Sequence, residues 1–399
     1  MTPTRVLPFL LLPLALAADW PQFRGPESAG VAPSGALPDK ISPDANVAWK
    51  AEFPGRGPSC PIVVGGRVFL TSAGGPRGDQ LHVLAFDAGT GKRLWQRGFW
   101  ATGPTDCHPK STMAAPTPAS DGDAVVALFG TDDLVCLDRD GNVRWVRSLY
   151  EENPGATDGR GLATSPVIVG GTAVVHLENQ NVSFALGVDL KTGKNRWRID
   201  RPRELNWTTP IAIPGAGPGG ELVLLQGATR LSACDPATGR EVWGLDRASD
   251  PIASSVRQGN VLYVPGEKGL AAYDLQGNAP PKLLWEKTKL NPVTASPVVL
   301  DDRVYSLRQG VLVSGDLKTG EVVGQLRLKG PFSASPVVAG GLLYCFSETG
   351  VAQVIRPGAK EDTLVSSGNF NETVLATPAI ADGAIYVRSD KHLWKITQP

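Results

Sequence analysis

The 399-residue chain carries no excess of charge of either sign, because 39 Lys and Arg balance 39 Asp and Glu. Nucleic-acid binding draws on clustered basic residues that neutralise phosphates, and no long basic run supplies them. Histidine is scarce: His82, His108, His176 and His392 are the four, and none stands in an HxH or HExxH spacing. A zinc site therefore has no support in the sequence. The five cysteines form neither a CxxC nor an adjacent pair. P-loop and Rossmann fingerprints are missing too, as is the 3.6-residue apolar period of helical repeats. Past the N-terminus no stretch is long and apolar enough to cross a membrane.

What is present is turn chemistry. Gly (46) and Pro (34) are abundant, and 42% hydrophobic with 20% charged residues describes a globular chain of many short strands. The first eighteen residues stand apart. "MTPTR" is followed by the apolar "VLPFLLLPLALAA", the anatomy of a secretory signal peptide and too short for a span. Export to the periplasm or the extracellular space is the expectation. With an odd cysteine count, at least one thiol is then free or paired between molecules. Cys136, Cys234 and Cys345 stand in strand-like runs and read as buried thiols, while Cys60 and Cys107 are a candidate pair.

The same turn recurs along the chain. "AGTGKRLW" (88–95), "LKTGKNRW" (190–197), "PATGREVW" (236–243) and "LKTGEVVG" (317–324) share one frame, and "RDGNVRW" and "LQGNAPPKLLW" vary it. Ahead of each lies a small residue and Pro, an apolar run, a Gly- or Asp-containing pair and a second apolar run, as in "TSPVIVGGTAVV" and "ASPVVAGGLLYCF". The Pro position recurs at 61, 118, 166, 210, 255, 297, 336 and 378, with Ser at 255. Steps near 40–45 residues with four strands each are the size of a propeller blade. Asp accepts from amides two or three residues on, and Gly takes the left-handed position. WD40 is disfavoured because its Gly-His and Trp-Asp landmarks are missing. The last unit stops after its third strand, and "NVAWKAEF" (46–53) stands unused at the front. The expectation is an all-β, eight-bladed propeller of four-stranded antiparallel blades, closed by that N-terminal strand. Its parts are a signal peptide (1–18), an extended segment (19–45) and the propeller (46–399). Trp49, Trp95, Trp145, Trp197, Trp243 and Trp285 mark the outer strands and are expected to pack between blades.

These repeats resemble the PQQ-like (pyrroloquinoline-quinone-like) propeller family. That family includes quinoprotein dehydrogenases and the outer-membrane β-barrel assembly lipoprotein. "DWPQFRGPESAGV" (19–31) is similar to the start of exported PQQ-like repeat proteins of planctomycetes and related bacteria. The resemblance implies the fold and leaves the activity open. By resemblance, quinoprotein dehydrogenases combine an adjacent Cys pair, a calcium-binding Glu/Asn/Asp set and a catalytic Asp on a longer chain. Only Glu178, Asn179 and Asp106 offer a partial set here.

Loops between second and third strands, and between one blade and the next, emerge on one face, and the insertions fall there. That rim is expected to carry Arg56, Asp106, His108, Lys110, Glu178, Asn179, Asn206 and Trp207 around a central funnel. No residue reads as an activated nucleophile, and His108 stands without a second His nearby. The reading is a non-catalytic binding or scaffold module, monomeric, with no cofactor and no metal. Its partner is another exported or envelope protein, or a glycan. The alternatives are a quinone-dependent oxidoreductase holding PQQ and calcium at the funnel, and a carbohydrate-binding or polysaccharide-processing propeller using Trp207 and Trp100.

Overall fold

The computed structural model describes residues 19–32, 35, 37–155 and 159–398; the expected signal peptide lies outside them. Within these residues the strands form eight antiparallel four-stranded sheets. Seven are built from consecutive strands. In blade one these are Ile62–Val64, Arg67–Gly74, Gln80–Asp87 and Arg93–Trp100. The eighth blade joins Ala379–Ala381, Ala384–Arg388 and His392–Thr397 to Val47–Glu52 from the other end of the chain. That outermost pairing runs antiparallel, Lys50 opposite Trp394 and Glu52 opposite His392. It closes the ring and leaves no blade short of a strand.

Local chemistry explains the regularity. Gly65-Gly66, Gly170-Gly171 and Gly340-Gly341 take positive φ at both turn positions, the geometry that matches the twist of a two-residue hairpin. In the recurring Asp-x-x-Thr-Gly turn, Asp189 Oδ1 accepts from the amides of Lys191 and Thr192 and from the Thr192 hydroxyl. Asp87 and Asp316 repeat the arrangement with Thr90 and Thr319.

The turn also receives the preceding blade. Trp49, Trp95, Trp145, Trp197 and Trp285 donate their indole N–H to carbonyls of Ala88, Arg139, Leu190, Pro236 and Leu317, at 2.9–3.1 Å. Each ring lies against the turn glycine of the neighbour, so that a Cβ on Gly193 would sit 2.7 Å from Trp145. Three junctions depart. Blade five turns at Gly277-Asn278 instead, and the Trp243 indole N–H facing it has no partner. Blade seven has Ser366 in the Trp position, its hydroxyl donating to the Asp39 carbonyl, and blade six has Gly324. There Asp362 of blade seven accepts from Ser314 at 3.1 Å and pairs with Arg303 at 3.2 Å.

Candidate functional site

The innermost strands begin at the Pro positions, and the residue before each faces the axis. These eight residues, Cys60, Thr117, Ser165, Thr209, Ser254, Ser296, Ser335 and Thr377, form a ring of hydrogen bonds. In seven links the backbone amide of one donates to the hydroxyl of the next blade's residue, at 2.9–3.2 Å. The eighth link, from Thr377, ends on the Cys60 sulphur. Each hydroxyl thus satisfies an amide that an inner sheet edge would otherwise leave unpaired.

Above the ring opens a funnel of about 800 Å3, lined by all eight ring residues. Residues 19–32 close it from below. Trp20 exchanges both backbone hydrogen bonds with Val63, the Pro21 carbonyl accepts from Ser120, and Gly30 and Ala32 pair with Val338. Arg24 donates to the Pro297 carbonyl and Glu27 pairs with Arg257. The segment therefore reaches blades one, two, five, six and seven, and Phe23 lines the funnel from beneath.

The connection from blade one to blade two arches over the mouth as a lid. Thr102 anchors its start on Asp133, and Met113 accepts from Gly130 near its end. Arg56 donates to the carbonyls of Pro109 and Ser111 from the rim. At the lid's apex Lys110 Nζ pairs with Glu348 Oε2 of blade seven at 2.8 Å, and Ser333 donates to the other Glu348 oxygen. Across the mouth, Trp207 forms a wall held by its indole N–H on the Gly161 carbonyl at 3.0 Å.

The eight predicted rim residues divide. His108, Lys110 and Trp207 line the funnel, whereas Arg56 and Asp106 are exposed around it. Glu178, Asn179 and Asn206 turn inward. Glu178 Oε1 meets Arg201 Nε and His176 Nε2, both at 2.7 Å, and Oε2 accepts from Asn206 at 2.9 Å. Burial alone would raise this carboxyl, but His176 and Arg201 pull it down to about 2. Asn206 also donates to the Gln226 carbonyl, so the cluster ties blade three to blade four. Asn179 accepts from Asn181 and Val182 in its own loop. Both Glu178 oxygens are thus engaged by protein groups, Arg201 and His176 on one and Asn206 on the other. Among the described residues no cluster of three or more His, Cys, Asp or Glu is arranged to hold a metal ion.

Glu348, in the loop between the second and third strands of blade seven, also lines the funnel. Trp100, 69% exposed, does not. All five cysteines are free; Cys60 and Cys107 both line the funnel, unbonded. In the sequence the small residue before each Pro marks only where a strand starts, because the amide its hydroxyl satisfies belongs to another blade about 40–57 residues away.

The family model described as outer membrane protein assembly factor BamB matches residues 41–212, 185–280, 227–315, 278–365 and 308–398. BamB from Moraxella catarrhalis has a similar structure, with TM-score 0.65 and 18% identity over 88% of this chain and 97% of that one. A europium-containing methanol dehydrogenase gives TM-score 0.70 and 12% identity over 94% and 90%. The quinohemoprotein alcohol dehydrogenase of Comamonas testosteroni gives 0.66 and 12% over 95% and 80%. Such identities speak to fold alone. No curated protein matches the sequence. No helix among the described residues is long and apolar enough to cross a membrane.

Proposed function

Since the chain belongs to the PQQ-like β-propeller family, related to BamB and to the quinoprotein dehydrogenases, we propose that it is an exported quinone-binding propeller of the oxidoreductase type. Its ligand is a planar, carboxylated quinone in the lidded funnel. The observation that carries this reading is the funnel: about 800 Å3, stoppered below by residues 19–32 and covered above by the lid. That is the scale of a small-molecule site. Trp207 offers a flat aromatic wall, and Lys110 offers a cation for a carboxylate. Calcium has no place at Glu178, so binding is read as independent of it there.

A bound quinone supplies the capacity to accept two electrons and two protons from an alcohol-type substrate. The chain's contribution is to exclude water with the lid, to orient the ring against Trp207, and to place a carboxylate nearby. Glu348 is the carboxylate among the residues that line the funnel, and it is assigned to receive a proton.

The test is a fluorescence titration of the parent with pyrroloquinoline quinone beside Trp207→Ala, Lys110→Ala and Trp100→Ala. Losses of about tenfold in the first two, the worth of about 1.4 kcal/mol each, with Trp100→Ala unchanged, support the reading. Equal affinity in all four removes the funnel as the quinone site. Glu348→Gln should bind quinone yet lose alcohol-dependent dye reduction.

One observation favours a second reading, a scaffold for an envelope protein: the matching family model is described as an assembly factor. Trp100, exposed at the end of an outer strand outside the funnel, would then serve as an anchor. Loss of a partner by Trp100→Ala, with funnel variants unaffected, would favour it.

A further inference from the structure

We propose that the floor of the funnel is a binding site for a carboxylate or small oxyanion, built from ring hydroxyls and two buried arginines behind them. The inference rests on the funnel being a ligand site, and not on the ligand being a quinone.

The first observation is a set of unspent donors. Ser165, Thr209, Ser254, Ser296 and Ser335 each use an oxygen lone pair on a neighbouring amide. None of the five has a protein acceptor for its own hydroxyl proton among the described residues. All are at least nine-tenths buried and all line the funnel. A hydroxyl carries one donor beside its acceptor sites, so these protons face the cavity. Thr117 and Thr377 differ, their hydroxyls turning to the Cys60 sulphur. The floor is therefore an arc of donors that calls for an acceptor-rich group.

The second observation is charge. Arg24, in the segment beneath, is 1% exposed and donates through Nη2 to the Ala29 and Pro297 carbonyls, the latter beside ring residue Ser296. Its Nε and Nη1 have no partner. Arg388 is fully buried, donates through Nη1 to Ser59 beside ring residue Cys60, and leaves Nε and Nη2 unpartnered. Neither has a carboxylate in ion-pair contact among the described residues; Asp390 acts on Arg388 only at longer range. Both guanidiniums sit directly behind the ring, Arg24 bonded to the carbonyl next to Ser296 and Arg388 to the residue next to Cys60. Buried cations are ordinarily paired, and in a poorly screened interior their field reaches through the ring. Among the described residues the lining adds two cations, Lys110 and Arg160, and one carboxylate, Glu348, which pairs with Lys110. Donors and field both select a negative, oxygen-rich group seated on the axis. A carboxylated ligand would then enter acid-first.

The experiment is calorimetry and thermal melting of the mature protein with oxalate, with phosphate and with neutral ethylene glycol. The parent is compared with Ser254→Ala/Ser296→Ala, with the rescue pair Ser254→Thr/Ser296→Thr, and with Arg24→Met. Expected are saturable binding of oxalate at one site, at least a tenfold loss in the Ala pair, recovery in the Thr pair, and no response to glycol. Arg24→Met, which leaves the ring intact, should weaken binding at least threefold, and it decides the matter if the Ala pair does not fold. Binding of phosphate but not oxalate would assign an inorganic oxyanion. No anion binding by the parent, or equal binding by parent, Ala pair and Arg24→Met, overturns the proposal. Anion binding without quinone binding would keep this site and remove the quinone. Quinone binding lost in Trp207→Ala but untouched in the Ala pair would do the reverse.

Discussion

Gly193 and Glu178 show how differently single residues hold this molecule. Gly193 sits at φ 69° with the Trp145 ring where a Cβ would go. A valine there meets both left-handed strain, about 1–2 kcal/mol, and overpacking, about 1–3 kcal/mol. Gly171 has φ 71° but nothing within 4 Å of its Cβ position, so the same change there meets the strain alone. Chemical denaturation should find Gly193→Val less stable than Gly171→Val, and equal losses would remove Trp145 from the turn. Glu178 acts through charge. Its folded carboxyl lies near 2 against an ordinary 4.5, so its stabilisation is complete above about pH 4.5. It is lost as pH falls toward 2, by about 3 kcal/mol in order of magnitude. Glu178→Gln leaves Arg201 buried without its partner, a cost of about 3 kcal/mol at neutral pH, and should flatten the acid limb of stability. A variant as steep in acid as the parent would contradict the assignment. Sequence reading found Glu178 and Asn206 as polar loop residues. It had no means of seeing that His176, in the second strand of the same blade, and Arg201, just past that blade's outer strand, would consume the carboxylate.

At the scale of the element, the blade-to-blade contact is the repeated unit. Most of it was legible: the Asp-x-x-Thr-Gly turn, the Trp four residues after its Gly and the Gly pair each announce a strand end. The spacing alone also placed "NVAWKAEF" in blade eight. Exceptions were legible only as missing letters. Gly324 lacks the Trp, but nothing in its neighbourhood says that Asp362 and Arg303 take the space. Trp243 keeps the letter but not the hydrogen bond, because blade five replaces the turn that would accept it. Trp145→Phe should therefore cost about 1 kcal/mol more than Trp243→Phe, the worth of a buried hydrogen bond. Thermal or urea unfolding of the two variants checks this, and equal costs would make the indole N–H irrelevant to docking. The lid is held more lightly. Lys110 is 59% exposed, and a surface pair of that kind contributes about 0–1 kcal/mol. Lys110→Ala should leave the melting temperature close to the parent's while altering ligand exchange.

For the molecule as a whole, ring closure turns eight weak repeats into one cup. The inner strand edges meet at the axis, where the seven hydroxyls and one thiol of the ring satisfy them. The N-terminal segment caps the remaining edges from below. Sequence spacing gives the blades and their order; it does not give the axis, since residues from 60 to 377 become neighbours only when the ring closes. For that reason the funnel's loop face was foreseen, with His108, Lys110 and Trp207 on it, while its floor and its stopper were not. The claim that this cup holds a carboxylated quinone without calcium at Glu178 is tested most directly by calorimetric titration. The mature protein would be titrated with pyrroloquinoline quinone, once with added calcium and once with a chelator. The account predicts saturable binding at one site per chain with the same affinity in both conditions. No binding at high micromolar quinone, or binding that appears only with calcium, would contradict it.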